Sequence, residues 1–196
     1  MNFKRIILIL CISFLVIQAE AQTDAQSFYR QSLKNNNTGM VILGSWAIVN
    51  MASGAWGMSV KTGSTKYFYQ MNLFWNTVNL GIAGYALVSG YLTDVSALSD
   101  AQMIDKHLTT EKVLLINAGL DVLYMAGGAF MLSKSKTSTK RPELLKGYGQ
   151  SLLLQGGFLL VFDGIMYLAQ HRLSGAFLEN VQLTFGPKAF HLAISF

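Results

Sequence analysis

The stretch GQSLLLQGGFLLVFDGIMYLAQ, Gly149 to Gln170, carries one charged residue, Asp163, in an otherwise apolar and amide-bearing run. A bilayer core demands about 20 consecutive apolar residues in a helix, whereas buried helices of soluble domains seldom sustain such a run beyond about 14. Three more stretches match it: Gly39 to Val60 and Met71 to Leu92 hold no charged residue, and Val113 to Ser133 holds only Asp121. The pattern predicts an all-α fold, a bundle of four transmembrane helices, and makes a water-soluble bundle the weaker reading.

Bulk composition agrees. Of the 196 residues, 52% are hydrophobic and 13% charged, about half the charged share of soluble domains, and mean hydropathy is +0.36. The formal charge of +5 does not imply nucleic acid, because the basic residues concentrate in short loops. Lys61 and Lys66 lie in the first loop, and Lys134, Lys136, Lys140, Arg141 and Lys146 in the third. The middle loop sets Lys106 and Lys112 among Asp94, Asp100, Asp105 and Glu111. By the positive-inside rule the first and third loops face the cytoplasm and both mature termini the exported side.

Residues 1–21 read as a cleaved signal peptide: Lys4 and Arg5, an apolar run from Ile6 to Ile17, then Ala19-Glu20-Ala21. An uncleaved first helix is the alternative. The segments that follow are a polar stretch, 22–38, the four-helix transmembrane domain, 39–170, and a tail, 171–196. This implies the bacterial inner membrane, with the outer membrane as the alternative. The one cysteine, Cys11, lies in the signal segment and leaves the mature chain no disulfide.

The halves resemble each other. Met51-Ala52-Ser53-Gly54-Ala55-Trp56 aligns with Met125-Ala126-Gly127-Gly128-Ala129-Phe130, and Gln70 and Gly84 align with Gln150 and Gly164. A duplicated helical hairpin, 39–92 and 113–170, with parallel repeats, accounts for this. Ser53 and Gly57, Ala86 and Gly90, Gly127-Gly128 and Gly156-Gly157 are small residues that let helix backbones approach closely.

Polar residues recur within the spans at helical spacing. Asn72, Asn76 and Asn79 fall at i, i+4 and i+7, Asn117 and Asp121 at i and i+4, and Gln155 and Asp163 at i and i+8, with Asn50 in mid-span. Such side chains are disfavoured against lipid, so these faces should converge on the bundle axis. At ~1.5 Å per residue, Asp121 and Asp163 sit about 13 and 10 Å below the exported surface, nearly level. No Lys or Arg in the spans neutralises them, so the pair must carry a proton or hold a cation. The eight residues are expected to form an intramembrane polar network, with packing as its plainest role and a proton- or cation-linked path as the other.

No phosphate loop, nucleophile elbow or zinc motif occurs, so no catalytic residue, metal ligand or cofactor is nominated. His107, His171 and His191 lie outside the spans without metal-site spacing and read as surface or interfacial residues. In the tail, Val181, Leu183 and Phe185 alternate with other residues, Gly186-Pro187 marks a turn, and alternation resumes from Phe190 to Phe196: a β-hairpin pattern. The terminal aromatic resembles the last strand of outer-membrane barrels, though one hairpin closes no barrel.

Tyr67-Phe68-Tyr69-Gln70-Met71-Asn72 with Trp75-Asn76 and Asn79, Asn117-Ala118-Gly119-Leu120-Asp121 with Tyr124, and Gln155-Gly156-Gly157-Phe158 with Asp163 resemble an uncharacterised family of exported bacterial four-helix membrane proteins. The resemblance runs from about Gly39 to Gln170 and implies a shared architecture but no activity. The sequence therefore points to a structural or partner-binding membrane subunit, with a small-solute or proton/cation-linked transporter using Asp121 and Asp163 as the alternative. A membrane enzyme stands third. Its expected partners are membrane lipids and a protein partner or second copy, with no nucleic acid.

Overall fold

A computed structural model describes the backbone of residues 3–184 and the side chains of 25–177. The described residues form four helices and a short 3₁₀ turn, with no strand. The helices are α1 (Phe3–Val60), α2 (Gly63–Leu92), α3 (Asp100–Ser135) and α4 (Pro142–Thr184), and the turn, Val95–Ala97, links α2 to α3.

Local chemistry sets the boundaries. Gly63, at φ 61°, takes the left-handed conformation that starts the tight turn from α1 into α2, a region costly for any residue with a Cβ. Asp94 caps the 3₁₀ turn by accepting from the Ser96 amide. Ser99 and Gln102 form a capping box at the start of α3. Pro142 begins α4, where its missing N–H leaves no bond unmade.

Three helices are long and apolar enough to cross a membrane: α1, α3 and α4. The three asparagines of α2 lower its hydropathy, but they are all buried, so the outward surface of that helix is apolar. Val78 is 63% exposed, Leu123 64% and Val161 63%, while Asn72, Asn76, Gln155 and Asp121 are buried. A polar interior inside an apolar exterior inverts the arrangement of a water-soluble domain and suits lipid as solvent.

Helix α1 packs chiefly on α2, and α3 on α4, so the fold is two hairpins joined mainly through α2 and α4. Small residues govern the approach within each hairpin. A Cβ on Gly54 would lie 2.9 Å from the Tyr69 carbonyl oxygen and 3.0 Å from the Leu73 amide nitrogen. A Cβ on Gly128 would lie 2.8 Å from the Gly149 carbonyl oxygen and 3.1 Å from the Leu153 nitrogen. Gly57 faces the Tyr69 ring and Gly90 the Asn37 side chain, whereas Gly127 and Gly157 meet nothing and face outward, contrary to the expectation that both glycines of each pair serve packing.

The polar stretch 22–38 is helical and continuous with α1. Together with the start of α3 and the end of α4 it forms a three-helix extension past the end of α2. Its own small core contains Ala25, Phe28, Tyr29, Val95 and Met103, with Leu173 and Phe177 packed on it. The 36 residues of α1 from Ala25 to Val60 run about 54 Å at ~1.5 Å each, well over the roughly 30 Å of a bilayer core.

The tail also departs from the sequence reading. Helix α4 runs to Thr184 and takes the place of the first arm expected around Val181 and Leu183. The second arm, Phe190 to Phe196, lies outside the described residues. The signal-peptide reading of 1–21 falls on positions whose side chains are likewise outside them, and the backbone from Phe3 is part of α1.

Candidate functional site

The polar residues of the four helices divide into two groups with different chemistry. The first is closed. Gln155 of α4 donates from Nε2 to Asn50 Oδ1 (3.3 Å) and to Asn72 Oδ1 (3.0 Å), and its Oε1 accepts from Trp46 Nε1 (3.0 Å). Ser151 Oγ donates to the same Asn72 oxygen at 2.5 Å. Two further amides turn back onto their own helices, Asn50 Nδ2 to the Trp46 carbonyl and Asn76 Nδ2 to that of Asn72, each at 2.9 Å. Trp46 stacks on Phe158 with centroids 3.9 Å apart. Three helices are thus tied by a network in which both Gln155 amide hydrogens and its carbonyl oxygen are bonded, with Gln155 and Ser151 fully buried.

The second group is open. Asn79, Asn117, Asp121 and Asp163 line a chamber of about 470 Å³ between α2 and α3, whose other walls are largely apolar. Asn79 links the groups, donating to Asn76 Oδ1 at 3.5 Å while facing the chamber. Asn117 is half-buried, and Asp121 and Asp163 are 2% and 6% exposed. The two carboxyls adjoin each other, close enough to share a proton. Apart from a proton shared with Asp163, Asp121 Oδ2 receives no donor among the described residues, and the buried indole Nε1 of Trp75, another lining residue, finds no acceptor. No Lys or Arg lines the chamber.

The pairing has a structural cause. A Cβ on Gly156 would stand 3.1 Å from the Asp121 carbonyl oxygen and 2.8 Å from Met125 Cγ, so α4 rides directly on α3 at the level of Asp121. Asp163 lies on the same face of α4, seven residues or roughly 10 Å beyond Gly156; side chains tilt toward their own helix N-termini, so in these antiparallel helices Asp163 and Asp121 lean toward each other and adjoin.

All eight sequence-nominated residues therefore fall into these groups, Asn50, Asn72, Asn76 and Gln155 in the closed one and Asn117, Asp121 and Asp163 in the open one, with Asn79 shared. Sequence reasoning missed Trp46 and Ser151. Each stands four residues before a nominated partner, Asn50 and Gln155, and that spacing was the available signal.

A third cluster, in the extension, corrects the reading of His107; His171 is exposed as expected and His191 lies outside the described residues. His107 is fully buried. Its Nδ1 lies 2.8 Å from Ser32 Oγ, and its Nε2 lies 2.6 Å from Ser174 Oγ and 3.1 Å from Glu111 Oε1. Ser174 Oγ donates to Glu111 Oε1 at 2.6 Å, and His171 Nδ1 lies 3.6 Å from Glu111 Oε2. A neutral imidazole protonated on Nε2 satisfies every bond: Ser32 donates to Nδ1, and Nε2–H is shared by Ser174 and Glu111. Burial holds the His107 imidazole below its ordinary pKa, against the opposing charge of Glu111. Ser32 from α1, His107 and Glu111 from α3 and Ser174 from α4 are thereby tied into one cluster that joins the three helices. Among the described residues no group of three or more His, Cys, Asp or Glu is placed to hold a metal ion.

No curated protein and no solved structure matches the chain. A family model does, over residues 42–164, an interval that contains all eight nominated polar positions. The chain belongs to that family, a family of unknown function designated DUF6992.

Proposed function

We propose that the protein is a four-span membrane protein that binds a small molecule in its exported half, with the other half sealed as a structural plug. The observation that carries this is the division just described: satisfied amides toward the basic loops, and an open chamber with two adjoining carboxyls toward the other end. A fully satisfied network is polar glue, while a buried carboxylate oxygen without a donor in a largely apolar cavity of this size is a place for a ligand.

The finer architecture is part of the proposal. Helix α2 is the fourth span, since it is 30 residues long, holds no charged residue after Lys66 and buries its asparagines. The loops with Lys61, Lys66 and Lys134 to Lys146 are cytoplasmic, the chain is exported through a cleaved signal, and the membrane is a bacterial inner membrane. Duplication of a hairpin is supported by the matching contacts of Gly54 and Gly128. It is supported further by Asn50–Gln155 across α1 and α4, which corresponds under the same alignment to Trp75–Tyr124 across α2 and α3.

A second reading, proton- or cation-linked transport through Asp121 and Asp163, is favoured because both carboxyls line one chamber; the plug below them favours binding instead. Single cysteines at Asn117 and Gln155, in a chain with Cys11 replaced by serine, separate open from sealed. A small thiol reagent is expected to label position 117 and spare 155 in intact membranes. An unreactive 117 would overturn the binding reading, and flux in proteoliposomes lost in D121N and D163N would favour transport.

A further inference from the structure

We propose that the chamber between α2 and α3 takes a small amphipathic organic cation, a primary ammonium on a short apolar body, admitted sideways from the bilayer. This rests on the binding reading above and names the ligand's chemistry.

The charge argument comes first. Two adjoining buried carboxyls that share one proton carry a single negative charge, and nothing basic in the chamber balances it. Asp121 is 98% buried, and beyond the proton it can share with Asp163 its Oδ2 receives no donor, so a charged donor in the chamber would repay the desolvation of the carboxylate. A primary ammonium brings three N–H groups for Asp121, Asp163 and the side-chain oxygens of Asn79 or Asn117. Trp75 and Tyr124, packed edge to face at 4.6 Å, line the same space and present aromatic surface to a cation.

The walls set the rest of the ligand. Leu43, Leu114, Leu159 and Phe162 enclose the chamber with apolar surface, which an inorganic ion would leave uncovered. The route follows from the weak contact between α2 and α3. Val78 and Ile82 on one lip and Val113 and Leu120 on the other line the chamber and are also exposed on the outer surface, so the seam opens toward lipid. An amphipathic cation concentrates in that region of the membrane, head at the interface and body in the acyl chains.

The test uses the full-length protein in phosphatidylcholine nanodiscs, titrated calorimetrically with hexylammonium, hexan-1-ol and hexanoate against empty discs. Hexylammonium is expected to saturate at one per chain, hexanol to bind at least tenfold more weakly, and hexanoate not at all. D121N is expected to lose at least tenfold in hexylammonium affinity; the comparison of hexylammonium with hexanol on the unaltered protein stands even if that variant fails to fold. Equal binding of hexanol, or no saturable binding of hexylammonium, overturns the proposal. If position 117 still reacts with thiol reagent in that case, the chamber is open and only the cation assignment is lost. Phosphatidylethanolamine added to the discs separates two sources of the same chemistry: competition with hexylammonium assigns the ammonium to a lipid headgroup, and no competition to a free amine.

Discussion

Gly54 on α1 and Gly128 on α3 hold the same position against their partner helices, each with room for a hydrogen but not a methyl beside a carbonyl oxygen, that of Tyr69 or of Gly149. In both cases the obstacle is backbone, which cannot swing aside as the end of a side chain can. Valine at either position is expected to destabilise its hairpin by about 1–3 kcal/mol through overpacking. Gly127→Ala, one residue away and meeting nothing within 4 Å, is expected to be neutral or to stabilise by up to about 1 kcal/mol through helix propensity. Thermal unfolding in detergent measures both, and equal effects at 127 and 128 would refute the packing shown here.

Gln155→Leu removes three interhelical hydrogen bonds at once and strands Trp46 Nε1. Interhelical bonds in membrane proteins average about 0.6 kcal/mol, so a loss of roughly 2 kcal/mol is expected. Titration from mild detergent into a denaturing one reads the change. Ser151→Ala, which removes one donor from an Asn72 oxygen still served by Gln155, should cost clearly less.

The buried His107 makes the extension sensitive to acid. Its folded-state pKa is lowered by burial, so the unfolded chain takes up a proton near pH 6.5 before the folded one does. Stability is then level above about pH 6.5 and declines as pH falls from there toward the folded-state pKa. Amide exchange over 25–38 and 100–111 at pH 7.5 and 5.5 is expected to show weaker protection at the lower value. His107→Gln should flatten the dependence, whereas His171→Gln, at a side chain 61% exposed, should retain it.

Gly156→Ala places a methyl 3.1 Å from the Asp121 carbonyl and 2.8 Å from Met125 Cγ, and is expected to push α3 away and part the two carboxyls. Thiol labelling of Asn117→Cys should then quicken. Met125→Ala in the same chain should restore part of the original rate, because Met125 is the portion of the obstacle able to yield.

The helices and the inward turn of their amides were legible because lipid exposure punishes a stray Asn or Asp severely enough to leave a periodic mark. Asn72, Asn76 and Asn79 lie on one face for that reason. The split between network and chamber was not legible, since it depends on which helices touch: Gln155 meets Asn50 and Asn72 because α4 packs against both α1 and α2, while Asp121 faces a seam where α2 and α3 scarcely meet. The role of His107 was hidden for a different reason. Its partners Ser32 and Ser174 lie 75 and 67 residues away, and the polar stretch holding Ser32 gives no apolar run to announce a packed helix. The first arm of the tail misled because alternation at Val181, Leu183 and Phe185 is too short to decide between strand and helix, and α4 simply continues to Thr184.

On the binding reading, the bond from Trp46 to Gln155 makes the molecule a room with one door. A guest that slips between α2 and α3 meets an indole braced against Phe158 and an amide with no spare hydrogen, and must go back out the way it came. On that reading a swing of the indole, with the release of its bond to Gln155, is what would turn the receptacle into a corridor.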